Sequence, residues 1–349
     1  MAQDRRVMIE TSDIPASAVP GLEYRRLNAP ADYRRMNQIA NAAREAQHET
    51  FFTTDAQFQR FYEHLERCDV TRDLFLAELD GRLIAYVRVG WHDEPETRVY
   101  ESIVFLDPAV PAHPVFDALF DLAEHRLAEI AGAHGPGPKV ARTNVSDADP
   151  VLEASIRTRG YEPVRHFYAM VRPTLDDLPD APLPAGLEIR DVRPQDMEAI
   201  FEAEVEAFRD GWGFAEPGES ERDRFFNDPV ESDTSLWRVA WDGPQVAGMV
   251  RSYIHPEQGE RLGRKRAWVE HISVRRPWRR RGLARALIAA SFPLLRARGM
   301  TEGALGVDTQ NESGAVGVYE RCGFRVVSRS SEYSRPLAAG TDGSGKSKL

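Results

Sequence analysis

Six arginines and one glycine crowd the eleven residues Arg275-Arg-Pro-Trp-Arg-Arg-Arg-Gly-Leu-Ala-Arg285. A strand-like run, Trp268-Val-Glu-His-Ile-Ser-Val274, precedes them, and a helical run from Leu283 to Arg298 follows. A strand, a loop of amides around one glycine and then a helix start is a physical recipe for gripping a pyrophosphate. The first amides of a helix have no partners inside it, and the helix dipole places roughly half a positive charge at that end. A solvated basic face or a nucleic-acid signal is the plainer reading of an arginine run. Against it, this run lies between a strand and an amphipathic helix.

The elements that position the loop can be read from period and punctuation. "SLWRVAWDGPQVAGMVRSYI" gives two β-rich runs about an Asp-Gly turn. Leu283, Ala286, Leu287, Ala290 and Leu294 fall on one helical face, and Pro293 is expected to bend or break that helix. "EGALGVDT" is a further strand, and "NESGAVGVYERCGF" reads as loop, helix and glycine stop. Alternation in the strand puts Glu270 on the face of Trp268 and Ile272, and His271 on the other. The fold class is α/β with a mixed sheet.

The chain contains itself twice. Leu22-Glu23 reappears at Leu187-Glu188, Asp80-Gly81 at Asp242-Gly243, and Arg172-Pro173 at Arg335-Pro336, with offsets of 165, 162 and 163 residues. "SIVFLDPAVP" matches "HISVRRPWRR" at 169, a drift that a longer hairpin loop around 256–264 explains. So long a period means duplicated domains. The expected layout is a first domain at 21–173, a proline-rich linker at 174–186 ("TLDDLPDAPLPAG") and a second domain at 187–337. Residues 1–20 and 338–349 lack core-forming residues and are expected to be disordered.

A chain of 349 residues with 42% apolar content suits two globular domains. No apolar run approaches the roughly 18 residues of a spanning helix, and the start has no signal-peptide core. Cys68 and Cys322 lie far apart without metal-ligand spacing, so no metal is expected and a reducing cytoplasm fits. The net charge of −10 argues against general nucleic-acid affinity, so no nucleic acid and no membrane are expected as partners.

The second half resembles the GNAT acyltransferase superfamily. Arg279-Arg280-Arg281-Gly282-Leu283-Ala284 fits the family's Arg/Gln-x-x-Gly-x-Gly/Ala loop, and "DTQNESGAVGVYERCGF" fits its second signature of Asn, helix, Tyr and Gly-Phe. The layout is similar to the mycothiol-synthase-like tandem group, and implies two GNAT-like domains, each a mixed sheet flanked by helices. The resemblance implies acetyl-CoA as acyl donor. Its pantetheine would bond backbone at Ile272, Ser273 and Val274, and its pyrophosphate the amides of Arg280, Arg281, Gly282, Leu283 and Ala284. Arg279, Arg280 and Arg285 are candidates for the phosphate charges. Tyr319 resembles the tyrosine that protonates the departing thiolate, or else packs on Ala315. Asn311 resembles the residue that bonds the pantetheine or steadies the loop, or else caps a helix.

Glu270 is the expected base for an amine nucleophile, with His271 as the alternative. A structural ion pair of Glu270 with Arg266 or Arg251 is the other reading. Phe208, Trp212 and Phe214 could line the acceptor pocket, with Asp210 binding a cation. In the first half, Pro111-Ala-His-Pro114 stands where the phosphate loop should be, and proline has no N–H to offer. Asn144 and Gly160-Tyr161 keep the outline of the second signature, but Ile156 replaces the tyrosine. The first half is therefore expected to be a structural copy that does not turn over acyl-CoA, buttressing the second and helping to wall its acceptor site. The resulting expectation is N-acetylation of a small-molecule primary amine by direct transfer in a ternary complex. A catalytically idle acyl-CoA-binding regulator is the alternative.

Overall fold

The computed structural model describes residues 19–337 apart from 50, 112, 257, 258, 261, 262, 312 and 313. Both expected terminal tails fall almost wholly outside the described residues, and the 256–264 loop lies partly outside them.

The chain forms two compact units. The first contains β1 (Leu22–Arg25), α1 (Tyr33–Ala46), α2 (Asp55–Glu63), β2 (Leu74–Leu79), β3 (Arg82–Asp93), β4 (Arg98–Leu106), α3 (His113–Ala133), β5 (Lys139–Ser146) and α4 (Pro150–Thr158). The second contains β7 (Glu188–Arg190), α5 (Met197–Phe208), α6 (Glu219–Asn227), β8 (Trp237–Asp242), β9 (Gln245–Tyr253), β10 (Arg266–Val274), α7 (Leu283–Ala297), β11 (Glu302–Asp308) and α8 (Ala315–Arg321). Two long strands remain, β6 (Glu162–Arg172) and β12 (Arg325–Pro336).

Those two strands are traded. In the second unit, residues Phe167 to Arg172 of β6 pair antiparallel with Asp308 to Gly303 of β11. In the first, residues Ser330 to Pro336 of β12 pair antiparallel with Ser146 to Val140 of β5. The units therefore divide at 164/165 and 329/330, not at a border between 173 and 187. The internal repeat supplies the reason. β6 and β12 are copies of one element, so either can complete either sheet, as in domain swapping. The segment 173–187 has neither helix nor strand, yet Leu175 is buried in the second core and its N–H reaches the Thr301 carbonyl at 3.0 Å.

The strands of each unit have helices on both faces. In the first unit α3 packs Leu119, Phe120, Ala123 and Leu127 on one face. Helices α1 and α2 pack Met36, Ile39, Phe58 and Tyr62 on the other. In the second, Leu283, Leu287, Phe292 and Leu295 of α7 meet Ala247, Val250, Val269 and Leu305. On its other face Ile200, Ala203 and Phe225 from α5 and α6 meet Trp237, Val239 and Met249. Helix α7 runs through Pro293 without a break. Phe292 and Leu295, both fully buried, anchor the turn that lacks one hydrogen bond.

The exchange can be tested by truncation. A fragment of residues 174–324 lacks both β6 and β12, so the edge of β11 is left unpaired and prone to aggregate. It should be less soluble and less cooperative in thermal unfolding than residues 165–329, as read by size exclusion and circular dichroism.

Candidate active site

The site begins with a fault in β10. Trp268, Val269 and Glu270 pair with Tyr253, Ser252 and Arg251 of β9, but Ser273 and Val274 pair with Met249 and Gly248. One extra residue has entered β10, and His271 takes a φ of 49°. Such a bulge bends the strand and leaves backbone groups unpaired. The parallel pairing of β10 with β11 also ends early, at Trp268 opposite Ala304. Beyond that point the strands part.

Glu270 occupies the parting. Its Oε1 accepts the Gly306 N–H at 2.8 Å. The ion-pair alternative fails: Arg251 bonds both oxygens of Glu204 at 3.0 Å, and Arg266 bonds Glu302 at 2.8 Å. Without a guanidinium, burial pushes the Glu270 carboxyl up to about 7, against the smaller opposing pull of the Gly306 N–H and His271; the Glu231 charge adds to the rise.

His271 does not act as an isolated strand residue on the opposite face. The bulge brings its Nδ1 within 2.6 Å of Glu204 Oε1, on α5. Glu204 is buried. Burial alone would raise its pKa, but the His271 and Arg251 charges hold it below the usual carboxylate value. This cluster ties the bulge to α5 and to β9. A second contact fixes the end of β10 from behind: a Cβ on Gly248 would stand 2.6 Å from the Ser273 carbonyl oxygen. Neither Glu204 nor Gly248 was singled out from the sequence. Both left signals there, an acid in the apolar register of α5 and a lone glycine inside a strand.

The loop after β10 matches the expected cradle in its main chain and differs in its side chains. Gly282 caps α7 with φ 84°, and Arg280 also has a positive φ, 60°. A Cβ at Gly282 would meet nothing within 4 Å, so the glycine is required by its backbone angle and the space before it is open. The first amide to return to the helical ladder is that of Ala286, which reaches the Gly282 carbonyl at 3.1 Å. Among the described residues, the amides of Arg280 to Arg285 have no backbone acceptor.

Arg279 is turned away from that space. Its Nε donates to the Val274 carbonyl at 2.9 Å and its guanidinium to Asp210 at 2.8 Å and the Ala207 carbonyl at 3.0 Å. Arg276 joins it on Asp210, and Arg275 bonds Glu206 and the Val246 carbonyl. Three of the six arginines are thus struts that hold the loop to α5 and β9. Arg281 reaches the Ala185 carbonyl at 3.4 Å. Arg280 is exposed, and the buried Nε of Arg285 has no partner among the described residues. Ser273 is buried with its Oγ likewise unpartnered. Open amides, an open space at Gly282 and these unpaired donors fit a phosphorylated thioester cofactor.

Tyr319 lies buried on α8, edge-on to Phe324 with ring centroids 6.3 Å apart. Burial first, then the Glu270 and Cys322 charges, hold its phenol well above the ordinary tyrosine range. Cys322 is fully buried, and burial raises its thiol pKa, so it is a poor nucleophile. Asn311 is exposed and is not the cap of α8; Gly314 is, with φ 69°, and its N–H bonds the Asn311 carbonyl at 3.1 Å.

The four acceptor-pocket candidates separate. Asp210 is held by Arg276 and Arg279, which drive its pKa far down, so it is not free to bind a cation. Trp212 is partly exposed; it faces Phe167 of β6 at 6.4 Å, with the Arg165 guanidinium 5.5 Å from its ring. Phe208 is partly exposed and Phe214 half-buried. Nearer Glu270, Tyr253 and Trp268 stack with centroids 6.3 Å apart, one strand pair below the bulge.

The first unit lacks the fault. β3 and β4 pair without a shift from Ala85 opposite Leu106 to Asp93 opposite Arg98. Its α3 starts at His113 with Pro114 in the first turn, where donors would be needed. No group of His, Cys, Asp and Glu among the described residues could hold a metal, and no described helix is long and apolar enough to cross a membrane.

The site thus combines a bulged strand that parts from its neighbour, an open-amide helix start beyond it and a carboxylate in the gap. Residues 197–324 match the acetyltransferase (GNAT) family. Within that class, the chain is similar to the mycothiol acetyltransferase of Rhodococcus jostii, with 27% identity over 271 residues covering 74% of this chain and 82% of that protein. The fold is shared with a GCN5-related N-acetyltransferase from Sphaerobacter thermophilus (TM-score 0.72, 24% identity, 93% of this chain and 98% of that one). It is also shared with a tandem GNAT protein from the clavulanic acid biosynthesis pathway (TM-score 0.65, 15% identity, 92% and 100%). The chain is an N-acetyltransferase with a tandem GNAT layout.

Two substitutions test the bulge. Glu204→Ala leaves Arg251 and His271 without their carboxylate and should cost about 3–5 kcal/mol of unfolding free energy. A urea titration showing less than about 1 kcal/mol would mean that the cluster does not hold the fold. Gly248→Ala forces the Ser273 backbone to shift and should cost about 1–3 kcal/mol in the same assay.

Proposed function

We propose that the second unit transfers the acetyl group of acetyl-CoA to a small-molecule primary amine, directly and within a ternary complex. The observation that carries this reading is the bulge of β10, which sets Glu270 in the strand gap and leads into the open amides before α7. The thioester supplies an activated acyl group. The amides of Arg280 to Ala284 would take its pyrophosphate, with Arg280 and Arg285 adding charge. Backbone groups at Ile272 to Val274, loosened by the bulge, would take the pantetheine arm.

Glu270 removes a proton from the attacking ammonium or amine, directly or through one water. Its carboxyl, poised at about 7, suits proton uptake near neutral pH. Tyr319 then gives its proton to the departing sulfur. The two groups are linked: the Glu270 charge is one reason the Tyr319 pKa is high. Once Glu270 has taken a proton its charge is gone, and Tyr319 becomes a stronger acid as the thiolate leaves. Exchange with solvent returns both to their starting states. Direct transfer is supported by the burial of Cys322, which leaves no evident thiol nucleophile here.

The first unit does not carry out this reaction in our reading. Its β4 is continuous in register, and prolines occupy the start of α3. Ile156, fully buried, stands in place of a proton donor.

The sign of the pH dependence follows from Glu270. A base must be ionised, so kcat/KM should rise with pH through about 7 and level off above it. Glu270→Gln should remove that limb and lower kcat/KM about 10²–10⁴-fold. Tyr319→Phe should lower turnover while leaving acetyl-CoA binding within about threefold of the parent by calorimetry, a change worth under 1 kcal/mol. A Gln variant retaining the acid limb and full turnover would rule Glu270 out as the base.

A further inference from the structure

Arg88 in the first unit is the repeat counterpart of Arg251, 163 residues earlier, the same offset that separates Arg172 from Arg335. The two arginines have different company. Arg251 has Glu204 from α5. The buried face of α1 offers Met36, Asn37, Ile39, Ala40, Asn41 and Ala43, with no carboxylate among them. Arg88 is 7% exposed, and among the described residues it has neither a hydrogen bond nor an ion pair. Its described contacts are faces of aromatic rings, Phe61 at 5.4 Å and Tyr62 at 6.0 Å.

A carboxylate does lie within reach. Arg88 pairs with Ile103, and Gly90 pairs with Glu101, so Arg88 and Glu101 are diagonal neighbours on one face of β3 and β4. Diagonal positions stand about 7–8 Å apart at their backbones, a span that long side chains bridge with ease. These two do not bridge it. Glu101 Oε1 and the Cys68 Cβ instead border Gly90, at 3.6 and 3.9 Å from where its Cβ would stand. Pairing of β4 with β5 ends at Glu101 opposite Arg142, so the gap opens between strands there as it does in the second unit. Glu332, opposite Asn144 on the next strand, adds a second acid whose pKa burial raises. Phe61, 52% exposed, forms an open aromatic rim. The Arg88 nitrogens keep some contact with solvent, so an anion arriving in the gap can reach them.

We propose that the first unit holds a second small-molecule site in this gap, for a free α-amino acid whose carboxylate pairs with Arg88 and whose ammonium pairs with Glu101. Phe61 and Tyr62 form its apolar side. Cys68 adds no charge, since burial pushes its thiol up to about 12. The site is independent of acyl transfer in the second unit.

The test is a thermal-shift series on the full chain with each of the common α-amino acids at about 10 mM. Two control probes accompany every hit: the matching decarboxylated amine and the matching deaminated acid. At least one amino acid should raise Tm by about 2 °C or more, and neither control should do so. Arg88→Met and Glu101→Gln should each abolish the shift, with acetyl-CoA turnover unchanged. The proposal is overturned if no amino acid shifts Tm, if the shift survives in both variants, or if either control matches its parent. Should Arg88→Met not fold, Glu101→Gln alone decides between loss and persistence of the shift.

Discussion

One ion cluster governs the geometry of the second unit. Glu204 accepts from Arg251 and faces His271, and through them it ties helix α5 to strands β9 and β10. Its location at the extra residue of β10 is what matters. A bulge is a local loss of ladder bonds, and it persists only where the surroundings over-determine it. Here the positive φ of His271 is held by a buried carboxylate, and the strand end is held by the close approach of Gly248. Everything chemical in the site depends on that fault. Without it β10 would stay in register, as β4 does in the first unit, and its amides would belong to the sheet.

The arginine-rich loop shows how main-chain and side-chain roles can separate within one motif. The cradle is made of amides, which carry no sequence signature apart from the glycine whose φ allows it. The arginines look like the phosphate ligands, but Arg275, Arg276 and Arg279 face α5 and β9 and pair with Glu206 and Asp210. Such surface pairs contribute little stability one by one. As a group of forked donors sharing two acids and several carbonyls, they fix the loop's path. Rigidity of the path is what preorganises amides toward an anion.

Much of this was legible in the sequence, and the failures have a common cause. The duplication, the strand–loop–helix unit and the glycine start of α7 could all be read because each has a local pattern. Glu270 could be singled out by type and position, as an acid in the strand before the arginine-rich loop. Period-two alternation misplaced His271, because alternation assumes an unbroken strand and one inserted residue reverses it. The roles of Arg279 and Asp210 were misjudged because their pairing joins residues 69 apart. The domain border was misplaced for a related reason. Sequence order assigns β6 to the half in which it lies, but pairing depends on edge complementarity, and two copies of one strand have interchangeable edges.

The two units also show what the copies of a duplicated scaffold hold in common. Both keep the parting of a parallel strand pair, an arginine on the strand before it and an acid at its mouth. In the second unit the arginine is neutralised by a helix carboxylate, which leaves Glu270 without a counter-ion and able to exchange a proton. In the first, the helix offers amides in place of a carboxylate: Asn37 and Asn41 bond Thr53 and each other. Arg88 is left charged beside an acid that it does not touch. An arginine cannot shed its proton to escape burial, as a lysine or a carboxyl can. A scaffold that needed the position only for packing would do as well with an apolar side chain, since replacing buried ions by apolar groups is often neutral or stabilising.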